Sequence, residues 1–279
     1  MLPDVFDDPQ TSKKKIIRLM FFMIIFWYLL IKIVFNIFLI NSNIKITAHR
    51  GSKFFSPENT IPSVVEAIAL NADFIEIDVQ LTKDNKVILL HDRTFSRVGG
   101  VNLKPQDLTY DEVCNINVGA YKSNLVFVKA PLLEDVIDVC KLSNAKLLIE
   151  LKYYEDDTLP SEVVRIIREN DYIDYCYVQS FSLKMIKQVN EEEPRIKVGL
   201  LTYSPSLITY SQNSFVDFFS IHYLSITPQI ELYLKSKNKE LFCYTPSSEP
   251  ELAIALNTGA TNIITNDVEL AKLIILANK

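Results

Sequence analysis

The chain has 279 residues, 48% of them hydrophobic, and a formal net charge of -5, which suits an ordered core in one large domain plus an appendage. The mild acidity argues against sequence-nonspecific nucleic-acid binding, although a few placed cations could still hold a small anionic ester. The four cysteines, Cys114, Cys140, Cys176 and Cys243, form no CxxC pair and no zinc-like spacing, so they read as small buried hydrophobes and imply no disulfide framework.

Residues 1–15 are polar, close on Lys13-Lys14-Lys15, and read as a cytoplasmic tail. Residues 16–40 are almost wholly apolar, and roughly 20 such residues span a bilayer as a helix. The run is followed by Asn41-Ser42-Asn43-Ile44, with no small-x-small cleavage pattern, so it predicts an uncleaved transmembrane anchor. Lys32 opposes this at roughly 2.5–3.5 kcal/mol for a mid-bilayer lysine, a cost that the surrounding Ile, Leu and Phe residues offset. Lys13, Lys14, Lys15 and Arg18 lie on the N-terminal side, against only Lys45 just beyond the span. The positive-inside rule then predicts a single-pass membrane protein with its main domain outside the cytoplasm.

From 44 to 279 short β-branched runs alternate with amphipathic stretches. Strands are expected at Ile46–His49, Phe74–Val79, Lys146–Leu151, Tyr175–Ser180, Ile196–Leu201, Asp217–His222, Glu240–Tyr244 and Asn262–Thr265. Helices are expected at Thr60–Leu70, Leu133–Leu142, Pro160–Asn170, Leu183–Glu191, Pro228–Lys237, Glu249–Asn257 and Val268–Ala277. Such alternation predicts an α/β fold, the (β/α)8 TIM barrel. A doubly wound open sheet would bring a glycine-rich phosphate turn, which a chain with 6 glycines does not show. Val87–Leu90 follows the second strand too closely for a parallel crossover and reads as the return arm of a hairpin. A two-residue turn at Asp84-Asn85 would set Asp78 opposite His91. The stretch from about 93 to 131 reads as a small insertion of the kind that covers or lines a site.

The polar residues fall at the carboxyl-terminal ends of these strands, where such barrels keep their catalytic groups. His49 closes the first strand. Glu76 and Asp78 share one face of the second, and Glu150 and Lys152 repeat the spacing on the next. Inward carboxylates on neighbouring strands are costly unless they are paired or bind a cation. An all-oxygen donor set of Glu76, Asp78 and Glu150 favours one hard divalent ion, Mg²⁺ or Ca²⁺, over zinc. The competing reading is an ion-pair network with Arg50, Lys152 and Arg93. All 3 histidines lie at strand ends. His49 and His91 would make an acid–base pair for phosphodiester cleavage, with Arg50 and Lys152 holding phosphoryl oxygens. His222 and Tyr244 end later strands and are candidates for the substrate pocket. His49 is assigned as base and His91 as acid, the reverse remaining open because the nearby charges can shift either pKa.

Ala48-His49-Arg50-Gly51, Pro57-Glu58-Asn59-Thr60, Ile75-Glu76-Ile77-Asp78-Val79, Thr82-Lys83-Asp84, Leu90-His91-Asp92 and Ile149-Glu150-Leu151-Lys152 together resemble the glycerophosphodiester phosphodiesterase family in order and spacing. The resemblance continues through Gln179-Ser180-Phe181, His222-Tyr223 and Ile263-Ile264-Thr265-Asn266. It implies a TIM barrel with an inserted region that cleaves a glycerophosphodiester to glycerol phosphate and an alcohol. It also implies His49 and His91 as the acid–base pair, Glu76, Asp78 and Glu150 as metal ligands, and Arg50 and Lys152 as phosphate binders. In the related mechanism the substrate's neighbouring hydroxyl attacks first, and water opens the resulting cyclic phosphate. The chain departs from the family at Cys243-Tyr244-Thr245-Pro246-Ser247, where a Trp-Thr-Val-Asn run is usual. Tyr244 keeps an aromatic wall, and Ser247 leaves the usual polar contact open.

Three functions follow as expectations. The first is hydrolysis of deacylated headgroups such as glycerophosphocholine, or of surface polyglycerol phosphates. The second is a lysophospholipase D-like action on membrane lysolipids, and the third is an inactive barrel that binds wall polymer or a partner. The intact histidines and carboxylates favour an enzyme.

Overall fold

The alternating strands and helices close into a barrel in the computed structural model. It describes residues 44–277 except 123–125, 153–156 and 204–213, together with Met20, Phe22, Met23, Phe26 and Trp27. In chain order the strands are β1 (Lys45–Ala48), β2 (Phe74–Leu81), β3 (Val87–Leu89), β4 (Leu147–Leu151), β5 (Cys176–Ser180), β6 (Lys197–Thr202), β7 (Phe218–His222), β8 (Glu240–Tyr244) and β9 (Asn262–Thr265). All but β3 run parallel, and β1 pairs with both β9 and β2, so the sheet has no free edge among these eight strands. That closure rules out the open doubly wound sheet.

The helices are α1 (Ile61–Ala69), α2 (Ser96–Gly99), α3 (Tyr110–Val113), α4 (Leu133–Lys141), α5 (Leu159–Glu169), α6 (Leu183–Glu192), α7 (Pro228–Ser236), α8 (Glu249–Leu256) and α9 (Val268–Ala277). Each of the seven expected helices is present. In α5 the residues Val163, Val164, Ile166 and Ile167 are buried, the stripe by which a helix covers a sheet. The strands β2 and β4 are buried along their whole length, as parallel strands with two covered faces must be.

Inside the barrel the amino-terminal end is filled by Phe74, Leu148, Phe218, Phe242 and Ile264, with Tyr177 and Tyr244 against them. A Cβ on Gly199 would lie 2.1 Å from the Phe218 ring. The missing side chain on β6 is therefore what admits that ring.

One expectation needs correction. The hairpin register is shifted by one residue, because Val79, Gln80 and Leu81 pair with Leu89, Ile88 and Val87. The amide of Leu90, not His91, meets the Asp78 carbonyl, at 3.0 Å. The cause is a three-residue loop: Asn85 takes a left-handed conformation (φ 59°), and Thr82 Oγ1 binds both Asp84 Oδ1 at 2.6 Å and the Lys86 amide at 2.9 Å. Asn and Asp tolerate this geometry. The insertion packs a small core of its own around Phe95, Val98, Val113 and Ile116 beside β3.

The expected tail (1–15) and transmembrane anchor (16–40) fall mostly outside the described residues. Met20, Phe22, Met23, Phe26 and Trp27 are helical and exposed, and no described helix is long and apolar enough to cross a membrane.

Candidate active site

The chain leaves β1 in an unusual turn. Arg50 and Gly51 both have positive φ, 57° and 73°. A side chain on Gly51 would sit 2.7 Å from the Ser63 backbone, so glycine is required on both counts. The turn points two amides at β2, with Arg50 N donating to Glu76 Oε2 at 2.8 Å and Gly51 N to the Glu76 carbonyl at 2.9 Å. It thereby fixes His49 and Arg50 over the barrel mouth. The Arg50 guanidinium reaches Glu58 Oε1 at 2.8 Å and lies 3.5 Å from Asp78 Oδ2. Its Nε is buried without a hydrogen-bond partner among the described residues. That Nε is the atom facing Asp78 Oδ2 at 3.5 Å, an ion pair without hydrogen-bond geometry.

Glu76, Asp78 and Glu150 are buried, and one oxygen of each lies within 4.8 Å of the others. The cations facing them are Lys152, 2.7 Å from Glu150 Oε1 and 3.4 Å from Asp78 Oδ1, and an Arg50 that is shared with Glu58. Asn59, held at φ 53°, clamps Asp78 by donating to its Oδ2 at 2.8 Å and accepting from its amide at 3.0 Å. Burial and the neighbouring carboxylates push Glu76 well above its ordinary range. Glu150 is pushed up to about 7 by burial and Asp78. For Asp78, burial is overcome by Lys152 and Arg50, which hold it below the usual carboxylate range. Lys152 and a shared Arg50 leave the three carboxylates with a net negative charge, and their all-oxygen donor set fits a hard divalent ion.

The two histidines have different partners. His49 Nδ1 meets Asn266 Oδ1 at 2.6 Å. An amide oxygen only accepts, so the proton sits on Nδ1 and the lone pair on Nε2. Burial, then Arg50 and Lys53, push this histidine down to about 3, and it stays neutral. His91 Nδ1 instead meets the Asp92 carboxylate at 2.6 Å. Burial lowers its pKa as well, while Asp78 and Asp92 work in the opposite direction.

These groups meet in one cavity of about 150 Å³, lined by His49, Arg50, Glu76, His91, Glu150 and Lys152. Its far wall carries Phe181, Tyr203 and Tyr244, with Phe181 stacked on Tyr203 at 5.1 Å. Sequence reasoning missed Tyr203, which lies just past β6 before residues outside the description. Tyr244 is on the wall as expected, but its hydroxyl donates to the Thr202 carbonyl at 3.2 Å. His222 stands beside the cavity, 5.8 Å from the Tyr244 ring, and is not among its lining residues. Ser247 Oγ accepts from the Asn266 amide at 3.3 Å, so it steadies the partner of His49.

The sequence also gave no role to Glu58, whose position explains the insertion. Arg97 of α2 donates to both Glu58 oxygens at 2.6 and 2.9 Å and to Asp92 at 2.6 Å, and Tyr121 Oη accepts from the Glu58 amide at 2.8 Å. The insertion braces the groups behind Arg50 and His91, and none of its described residues lines the cavity.

Comparison with known proteins places this arrangement. The sequence profile described as "Glycerophosphoryl diester phosphodiesterase family" matches residues 49–270. A glycerophosphodiester phosphodiesterase of Caldanaerobacter subterraneus subsp. tengcongensis is 27% identical over 231 residues, covering 80% of this chain and 94% of that protein. A mouse lysophospholipase D is 24% identical over 216 residues, covering 73% of this chain and 59% of that one. Among solved structures, an Oleispira antarctica phosphodiesterase in complex with the product sn-glycerol-3-phosphate superposes with a TM-score of 0.73 at 22% identity, covering 84% of this chain and 96% of that chain.

Proposed function

The chain belongs to the glycerophosphoryl diester phosphodiesterase family, and from that premise we propose that it hydrolyses glycerophosphodiesters to glycerol 3-phosphate and an alcohol with the aid of one divalent ion, Mg²⁺ or Ca²⁺. The observation that carries this reading is the convergence of His49, His91, Arg50, Lys152 and three carboxylates on one cavity. Glu76, Asp78 and Glu150 would hold the ion, whose charge would stabilise the phosphoryl oxygens.

His49 Nε2, kept unprotonated by the Asn266 contact, takes the proton of the substrate's neighbouring hydroxyl. That oxygen bonds to phosphorus, the bond to the departing alcohol breaks, and His91 gives the alcohol its proton. Asp92 supports this role by stabilising the protonated form of His91. Arg50 and Lys152 hold the non-bridging oxygens. Water then opens the cyclic phosphate with the proton transfers reversed. The aromatic wall of Phe181, Tyr203 and Tyr244 leaves an open, apolar side for the alcohol.

The same chemistry serves a lysophospholipid, and the likeness to a mouse lysophospholipase D favours that second reading. The apolar segment 16–40 supports a membrane anchor, and its flanking lysines an extracytoplasmic barrel. Full-length protein in detergent, incubated with glycerophosphocholine, polyglycerol phosphate and lysophosphatidylcholine, tests the proposal by product identity. Glycerol 3-phosphate released from a soluble diester supports it. Choline released from lysophosphatidylcholine alone favours the second reading, and no release from any diester refutes both. Protease added to intact spheroplasts should digest the barrel; protection would reverse the orientation.

A further inference from the structure

The loop that follows the Arg50-Gly51 turn carries two aromatic side chains outward. Phe54 is 64% exposed and Phe55 81%, their rings edge to face at 4.7 Å. The loop is built to keep them there. Glu66 of α1 accepts from Ser52 Oγ at 2.6 Å, from the Phe55 amide at 3.3 Å and from the Ser56 amide at 2.9 Å, and Lys122 caps the carbonyls of Lys53 and Phe54. Holding a phenyl pair in water forfeits the free energy of burying it, so a braced and exposed pair points to a surface that it meets.

Beneath the pair runs an apolar groove of about 330 Å³ between α1 and α9, floored by Ala69, Leu70, Val268 and Leu270. Leu273 and Leu276 continue the exposed apolar strip along α9, at 59% and 63% exposure. At the foot of the barrel Lys272 joins the helices by donating to the Leu70 and Asn71 carbonyls at 2.7 and 2.6 Å. The strip therefore runs from the rim of the catalytic mouth to the foot of β1.

β1 opens at that foot with Lys45, and the apolar segment 16–40 precedes it in sequence. Only three residues separate Ile40 from Ile44, a reach of at most about 14 Å over the four steps even when extended. A membrane that holds the segment must meet the barrel close to the start of β1. Two surfaces adjoin that point. One is the end of the barrel, a polar hollow lined by Lys45, Asn71, Asp73, Asn144 and Lys146; the other is the apolar α1–α9 side.

We propose that the α1–α9 side and the Phe54-Phe55 loop rest on the lipid surface, so that the catalytic mouth opens at headgroup level and takes diesters embedded in the bilayer. This rests on the proposed anchorage and phosphodiester hydrolysis, and it assigns the substrate class to amphiphilic diesters such as lysophospholipids. Glu66, Asp267 and Glu269 beside the groove suit a zwitterionic surface better than an anionic one.

The test uses the full chain reconstituted in phosphatidylcholine vesicles, with its single tryptophan removed by Trp27→Phe. Phe55→Trp places an indole in the loop, and Leu232→Trp places one on exposed α7 as control. Bromine on the lipid acyl chains should quench the indole at position 55 about twofold and leave that at position 232 unchanged. Equal emission in brominated and plain vesicles, or an indole shielded from aqueous iodide yet unquenched by bromine, would overturn the proposal; the latter would mean that protein covers the strip. Phe54→Ser/Phe55→Ser should slow hydrolysis of bilayer lysophosphatidylcholine roughly tenfold and leave soluble glycerophosphocholine hydrolysis unchanged. An equal effect on both substrates would also overturn it. If the parent chain cleaves neither, the proposed reaction fails, while quenching still decides the lipid contact.

Discussion

The two ends of the barrel are built from the same strands and differ in almost every physical respect. Phe74 leads to Glu76 and Asp78, Leu148 to Glu150, Tyr177 to Gln179, Phe218 to Ser220 and Phe242 to Tyr244. A step of two residues keeps the side chain inside the barrel, so each strand passes from an apolar plug to a polar mouth. In the plug, Phe218 stacks on Phe242 at 4.6 Å, and Lys197 lies 5.0 Å from the Tyr177 ring. In the mouth, buried carboxylates crowd one another and rely on Lys152 and Arg50. One end stabilises the fold, and the other holds charges that the fold must carry for the sake of chemistry.

The contrast can be broken from either side. At the mouth, His49→Ala should cost about 10²–10⁴-fold in kcat/KM and leave the melting temperature near that of the parent. At the plug, Phe218→Ala should cost about 3–5 kcal/mol of stability and leave the activity per folded molecule intact. Denaturant melts and kinetics on the same samples check both. Unfolding in the first variant, or catalytic loss without instability in the second, would dissolve the division.

A finer cut uses Gly199. With a Cβ placed 2.1 Å from the Phe218 ring, Gly199→Ala should destabilise by about 1–3 kcal/mol through overpacking. Adding Phe218→Leu should return part of that loss, since the two side chains share one space.

The mouth should also respond to pH through its carboxylates. Glu150, pushed up to about 7 by burial and Asp78, holds a proton below that pH and must release it to bind a metal. Glu76 is raised as well, so metal affinity should weaken below pH 7 by about tenfold per unit for each proton displaced. Calorimetry in buffers of different ionisation enthalpy would count the protons released.

The smallest effect is expected behind the mouth. Glu58 is held down to about 2: burial opposes this, and the Arg97 and Arg50 contacts prevail. Its folded-state pKa lies below the unfolded one, so its stabilisation is full above about pH 4.5 and is lost as pH falls through about 2. With Arg97 43% exposed, solvent screening limits the effect to about 1–2 kcal/mol. Glu58→Gln should flatten the acid limb of the stability curve by that amount.

Much of this contrast was legible in the sequence. Strand positions and the inward parity of Glu76, Asp78 and Glu150 follow from a period of two, which survives any uncertainty in strand ends. The register of β3 did not follow. It depends on one left-handed residue, Asn85, and a hydroxyl at Thr82, and a loop longer by one residue shifts every pair. The bracing by Glu58, Asn59 and Arg97 was hidden for another reason. These residues sit in irregular segments, where no periodicity reports which way a side chain points. Tyr203 escaped because an aromatic residue just past a strand end looks the same whether it lines a cavity or faces water.

We propose that the buried carboxylates at the mouth hold a divalent ion that the reaction requires. Full-length protein stripped by exhaustive chelation should lose turnover of glycerophosphocholine and regain it on titration with Mg²⁺ or Ca²⁺, and Glu150→Gln should need a higher metal concentration while melting like the parent. Full turnover in metal-free buffer, or an unchanged titration in that variant, would contradict the account.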